Sequence, residues 1–166
     1  MKKTIFYLIE QLPLQAKLKN HECLACQLAA EYWKIGKRVL IACEDQIQAK
    51  KLDKILWQRE SHQFIPHNLA GEGPRYGSPV ELSWSKKRSS SDRDILINLQ
   101  LTVADFALAF NEIIDFVPID ENLKRLARER YKTYRNMGFN VNMVEISNHV
   151  ISDESYGKKS SKSRAF

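Results

Sequence analysis

Two apolar runs dominate the first quarter of the chain. Thr4 to Ile9 is almost continuously apolar and ends at the polar, proline-containing stretch Glu10 to Pro13; Val39-Leu40-Ile41-Ala42-Cys43 is the second run. Short runs with so little alternation predict strands buried on both faces. Between them the period changes. Leu18, Cys23, Cys26, Ala30 and Trp33 recur at helical spacing, which predicts a helix from about Leu14 to Ile35 with Gly36 at its C-terminal cap. Asp45 is placed to cap a second helix, Gln46 to about Trp57, whose apolar positions are Ala49, Leu52, Ile55 and Leu56. An opening of strand, helix, strand, helix predicts an α/β domain built on a parallel sheet.

Beyond Trp57 the signals shorten. His67 to Pro79, with glycines at 71, 73 and 77, reads as loop. Val80 to Trp84 alternates like a short strand and Ile95 to Leu99 reads as another, with the polar loop Lys86-Lys87-Arg88-Ser89-Ser90-Ser91 between them. Phe106 to Phe110 fits neither period. Ile113 to Val117 predicts a strand closed by Pro118, Asp120 can cap a helix that Gly138 ends, and Phe139 to Ile146 alternates like a last strand. After Ser147 the chain becomes rich in serine and lysine. The expected organisation is therefore one α/β domain over 1–147 and a disordered basic tail over 148–166.

A length of 166 residues with 43% apolar and 28% charged content suits one domain with its own core. The apolar runs are strand-sized, so no membrane span is expected. Lys2 and Lys3 precede Ile5 to Ile9 as in a signal peptide, but that run is too short and stops at Glu10, so a cytoplasmic protein is expected. Three cysteines, an odd number, make no disulfide framework and fit a reducing compartment. Cys23 and Cys26 form a C-x-x-C that invites a redox or zinc reading. A zinc site needs further ligands, and two small apolar residues on a buried helix face is the better account.

The net charge of +6 is informative once located. The segment 122–137 carries Lys124, Arg125, Arg128, Arg130, Lys132 and Arg135 against Glu129, and so holds the basic excess of the folded body; the tail adds Lys158, Lys159, Lys162 and Arg164. At about 100° per residue, Lys124, Arg128, Tyr131, Lys132 and Arg135 share one arc, while Leu123, Leu126, Ala127, Tyr134 and Met137 form a separate stripe for the core. A charged face is most often merely solvated. One aromatic inside a nearly uniform cationic arc costs self-repulsion unless an anion binds there, which favours an anionic ligand. Trp57, Phe64, Ile65 and Pro66 form a second cluster, either a cover for the core or a partner patch; on sequence the core cover is preferred.

Catalytic patterns are missing. Gly71-Glu72-Gly73-Pro74-Arg75-Tyr76-Gly77 lacks the Gly-Lys-Ser/Thr ending of a phosphate loop, and the first strand–helix junction, Glu10 to Leu14, contains no glycine. There is no Gly-x-Ser-x-Gly elbow and no His-x-x-x-His pair, and His21, His62, His67 and His149 read as scattered surface or loop residues. No catalytic residue, cofactor or metal site is expected.

Several segments nonetheless resemble a known family. Gly36 to Asp45, Phe64-Ile65-Pro66-His67-Asn68-Leu69-Ala70-Gly71-Glu72-Gly73-Pro74-Arg75, Lys87 to Ser91, Asp115-Phe116-Val117-Pro118 and Leu126-Ala127-Arg128-Glu129-Arg130-Tyr131-Lys132 resemble the chi subunits of bacterial DNA polymerase III, over residues 1 to about 147. The resemblance implies a Rossmann-like single domain that uses no nucleotide, in a subunit of a DNA-directed DNA polymerase (nucleotidyltransferase) holoenzyme that is not catalytic alone. It implies an adaptor of the clamp loader that links the psi subunit to the acidic C-terminal tail of single-stranded-DNA-binding protein. Lys124, Arg128, Tyr131, Lys132 and Val117 would hold that tail; Trp57, Phe64, Ile65 and Pro66 would meet psi, which reverses the core preference for that cluster. An XPD-like helicase would compete with psi, and DNA contact would be indirect. The alternative is a direct nucleic-acid-binding module that uses Lys124 to Arg135 and the Lys158 to Arg164 tail.

Overall fold

The computed structural model describes residues 2–9, 20–59, 64–85, 92–146 and 161–164. Its elements in chain order are β1 (Lys3–Ile9), α1 (Asn20–Lys34), β2 (Val39–Cys43), α2 (Gln46–Trp57), β3 (His67–Leu69), β4 (Val80–Trp84), β5 (Ile95–Asn98), a 3-10 turn (Ala107–Ala109), β6 (Glu112–Val117), α3 (Glu121–Asn136), β7 (Asn140–Ile146) and β8 (Ser161–Arg164). The strands lie in one sheet in the order β3-β4-β2-β5-β6-β1-β7-β8. β1 to β7 pair in parallel, and β8 alone pairs antiparallel, on the outer edge of β7. This is the expected α/β architecture of a mainly parallel sheet flanked by helices.

The missing alternation in β2 has a direct cause. All five of its residues are buried because both faces of the sheet are covered. Val39, Ile41 and Cys43 point into the cluster under α1 and α2, with Leu24, Cys26, Leu52, Leu56 and Val80. Leu40 and Ala42 point the other way, into the cluster under α3, with Phe6, Leu96, Ala127, Tyr134 and Phe139. The segment 99–110, with its 3-10 turn, covers the part of that second face that α3 does not reach, through Ala104, Ala107 and Phe110. Asp45 caps α2 through its Oδ1, which accepts from the Gln48 amide at 2.8 Å; Asp120 caps α3 through Oδ2, which accepts from Leu123 at 2.9 Å. Gly36 and Gly138 end their helices at φ of 83° and 93°, the left-handed region that glycine enters without strain.

Two expectations need correction. His67–Leu69 is a strand rather than loop; its identity comes from parallel pairing with β4 (His67 opposite Val80, Leu69 opposite Leu82), not from an apolar run. Ser161–Arg164 lies within the stretch expected to be a disordered tail, yet it pairs with Met143–Ile146, because the last strand of the body leaves one row of backbone groups open. The first strand–helix junction, the loop 86–91, His62, His149 and the rest of the tail lie outside the described residues.

Candidate binding surfaces

The basic segment becomes a surface because α3 is anchored through its opposite side. Ala127, Arg130 and Tyr134 are its buried residues, and Arg130 is the deepest charge on it. The guanidinium of Arg130 donates from Nε to both carboxylate oxygens of Asp115, at 3.2 and 3.1 Å, and from Nη2 to Asp115 Oδ1 at 3.1 Å. Its other donors reach the carbonyls of Leu101 at 2.9 Å and Phe116 at 3.1 Å. Asp115, fully buried, also accepts from the Tyr134 hydroxyl at 2.8 Å and the Asn98 amide at 3.2 Å. The charges are thus neutralised and hydrogen-bonded, as buried ions must be. Tyr134's hydroxyl is pushed far above its ordinary range, by burial first and by the Asp115 charge second.

Arg130 therefore adds to the charge of the basic segment without belonging to its surface, in keeping with its place outside the cationic arc. The remaining charges sort unequally. Lys124 lies 3.4 Å from Glu121 and Lys132 lies 3.8 Å from Glu129. Arg128, between them, is exposed and has no hydrogen bond or ion pair among the described residues. Arg135 sits 5.9 Å from the Tyr131 ring, which packs against Phe6 at 5.8 Å. Val117 belongs to the same cluster as Tyr131 and is only 3% exposed, so it forms floor rather than surface. What α3 presents is one free guanidinium flanked by two lysines, beside a half-buried phenol ring.

The second surface lies where α2 ends. Trp57 is 59% exposed, although Leu52 and Leu56 of the same helix are fully buried. Its ring stands 5.3 Å from that of Phe64, and both approach the His67 imidazole, at 5.0 and 5.9 Å. Trp57 is thus a surface residue and not a core cover. Phe64 and Pro66 are half-buried beside it. Ile65 is corrected: at 1% exposure it belongs to the core and supports the patch from beneath. His67 is corrected too, being buried at the start of β3 with Asp53 3.3 Å from Nε2.

At the C-terminal ends of β5 and β6, where open parallel sheets commonly take ligands, a crevice of about 30 Å³ is lined by His21, Asn98, Gln100, Asp115, Phe116 and Arg130, among others. That is room for a water or two. The Arg130–Asp115 ion pair forms part of its lining. The glycine loop is equally committed to packing. Asn68 donates to the Glu72 carbonyl at 2.7 Å and to Glu81 at 3.1 Å, and Arg93 donates to the Ser78 and Pro79 carbonyls at 2.7 and 3.0 Å. A Cβ at Gly77 would run into Arg93 Nη2 and Glu81 Oε1. Cys23, Cys26 and Cys43 are buried and outside any disulfide, and burial pushes the Cys26 thiol up to about 12. No group of three or more His, Cys, Asp or Glu side chains is placed to hold a metal among the described residues. No helix among those residues is long and apolar enough to cross a membrane.

The fold and its surfaces define an α/β domain whose strand-end crevice is lined by a buried ion pair, with a basic face on one helix and an exposed tryptophan at the end of another. In fold it is similar to T4 UvsW, with a TM-score of 0.58 at 9% identity over 87% of this chain and 41% of that one. It is also similar to the C-terminal domain of the DEAD-box protein Dbp5, with a TM-score of 0.55 at 13% identity over 86% of this chain and 90% of that one. At such identities these likenesses define the fold alone. The sequence goes further: residues 1–142 match the model of the family described as DNA polymerase III chi subunit, HolC, and the chain belongs to that family. It is 58% identical to the DNA polymerase III subunit chi of Escherichia coli K12, over 86% of this chain and 97% of that protein. To the subunit chi of Haemophilus influenzae it is 52% identical, over 75% and 87%; to that of Pseudomonas aeruginosa, 32%, over 84% and 93%. Membership makes the chain an accessory subunit of a DNA polymerase holoenzyme, with a role in DNA replication.

Proposed function

We propose that this subunit is a non-catalytic adaptor of the clamp loader, which joins the psi subunit on its Trp57 face to the acidic C-terminal tail of single-stranded-DNA-binding protein on its α3 face. The observation that carries the tail assignment is Arg128. An exposed guanidinium without an acidic partner, flanked by Lys124 and Lys132, is chemically suited to an incoming carboxylate. Its planar fork makes two parallel bonds to a terminal carboxylate, the lysines meet acidic side chains of the tail, and Tyr131 walls an apolar residue. Exposed Trp57 with Phe64 has the composition of an interface centre, where large aromatics anchor the partner.

Titrating a fluorescent acidic tail peptide against the full chain and its variants tests the first half. Arg128→Ala is expected to weaken binding by roughly 2 to 5 kcal/mol, because the tail carboxylate loses its partner in a partly desolvated site. Arg128→Lys should lose less. Lys124→Ala and Lys132→Ala should lose least and be more salt-sensitive, since each cation stands near solvent. Unchanged affinity in a folded Arg128→Ala would refute the site. Tight binding of bare single-stranded DNA with a steep salt dependence, blind to the peptide's terminal carboxylate, would favour a direct nucleic-acid module instead.

A further inference from the structure

Most of the charge on and around α2 is committed. Lys51 reaches buried Glu22 at 2.8 Å, and Asp53 lies 3.3 Å from the His67 ring. Asp45 and Glu44, at the start of the helix, accept from the backbone amides of Gln48 and Leu101. Lys50 and Lys54 are different: both are exposed, and neither side chain has a hydrogen bond or ion pair among the described residues. At about 100° per residue they share an arc of roughly 80° with Ile47 and Trp57. That arc lies on the far side of the helix from the buried Ala49, Leu52 and Leu56. Ile47, 79% exposed, is the most exposed large apolar side chain among the described residues, and Trp57 at the other end is 59% exposed. The outer stripe of α2 is thus apolar at both ends, about 15 Å apart along the axis, with two unpaired cations between them.

A solvated helix face gains from opposite charges three or four residues apart, and two lysines at i and i+4 repel instead. The helix dipole favours Lys54, in the last turn, but not Lys50. Neither effect accounts for large apolar side chains standing in water at both ends of the same stripe. A partner with apolar contacts at its ends and carboxylates between them would satisfy all four residues. We infer that the outer stripe of α2 is a docking track for an acidic amphipathic helix, whose carboxylates meet Lys50 and Lys54 while its apolar residues cover Ile47 and Trp57. A helix laid along α2 at the shallow angle of ordinary helix packing keeps contact over that length. The inference rests on the reading of the Trp57 face as the psi surface, and it assigns the chemistry of the psi segment that lies there. The flexible lysines steer and set register, and the tryptophan anchors.

The test titrates the psi subunit against the full chain at about 0.05 and about 0.5 M salt, where affinity of the unaltered chain should fall about tenfold. The double variant Lys50→Glu with Lys54→Glu should bind psi about tenfold more weakly at the lower salt and lose most of the salt dependence. Exposed ion pairs are each worth up to about fivefold, and reversal adds repulsion. Lys54→Glu alone should lose about threefold, whereas Lys37→Glu, the same charge change at an exposed lysine outside the stripe, should stay within about twofold. Ile47→Ala should lose about fivefold at either salt. All these side chains are exposed, so circular dichroism spectra should match that of the unaltered chain. Unchanged affinity in the double variant overturns the inference, as does an equal loss in Lys37→Glu and Lys54→Glu. Trp57→Ala separates the two levels. If it weakens psi binding while the double variant behaves like the unaltered chain, the acidic track fails and the psi surface stands; if Trp57→Ala binds psi normally, the surface itself is misassigned and the track falls with it.

Discussion

Arg128 and Arg130 stand two residues apart on α3, so the helix turns them about 160° away from each other. One therefore meets solvent and the other meets Asp115. Removing Arg130 would strand a carboxylate that is fully buried. Arg130→Ala is accordingly expected to cost about 3–5 kcal/mol of folding stability, whereas Arg128→Ala should stay within about 0.5 kcal/mol of the unaltered chain. Urea unfolding of the two variants measures the contrast, and comparable midpoints would show that the Arg130–Asp115 pair is not anchoring the helix. The helical wheel held this distinction, since Arg130 falls on the stripe of Leu123, Ala127 and Tyr134. The sequence reading counted Arg130 in the charge of the basic segment and left it out of the cationic arc. Only the acid beneath it, fifteen residues earlier on β6, makes its burial tolerable.

At the scale of elements, α3 must be both ordered at its start and open along one side. Lys124 lies in its first turns, next to the Asp120 cap. Asp120→Ala should cost about 1 kcal/mol, as cap removal typically does. It should weaken the tail peptide less than Arg128→Ala, because fraying reaches Lys124 before it reaches Arg128. Thermal unfolding followed by circular dichroism, with the same peptide titration, checks both; a larger peptide loss in Asp120→Ala than in Arg128→Ala would move the site toward the helix start. The elements with strong local signals were legible: β2, α2 and β4 have the bounds the sequence predicts. β3 was not, because His67-Asn68-Leu69 has no pattern of its own and becomes a strand only when β4 supplies its hydrogen bonds. β8 was hidden for the same reason.

Across the whole molecule, α2 packs in the cluster on one face of the sheet and α3 in the cluster on the other. The two proposed docking surfaces share no side chain. Trp57→Ala is therefore expected to weaken psi and spare the tail peptide, Arg128→Ala to do the reverse, and the double variant to show both losses with a coupling below about 0.5 kcal/mol. Titrations of each partner against the single and double variants, and against the preassembled complex with the other partner, measure that coupling; a larger value would mean that the two faces communicate. The chain's own order of residues determined the α/β class, the helix caps, the cationic arc on α3 and the family resemblance, because each depends on neighbours within a few turns or on a contiguous motif. Tertiary structure decided the rest: that Trp57 is exposed while Ile65 is core, that Arg130 is an anchor while Arg128 is free, and that His67 is buried against Asp53. Each of these turns on a partner distant in the sequence, and burial and pairing are properties of the space between elements, which no local period encodes.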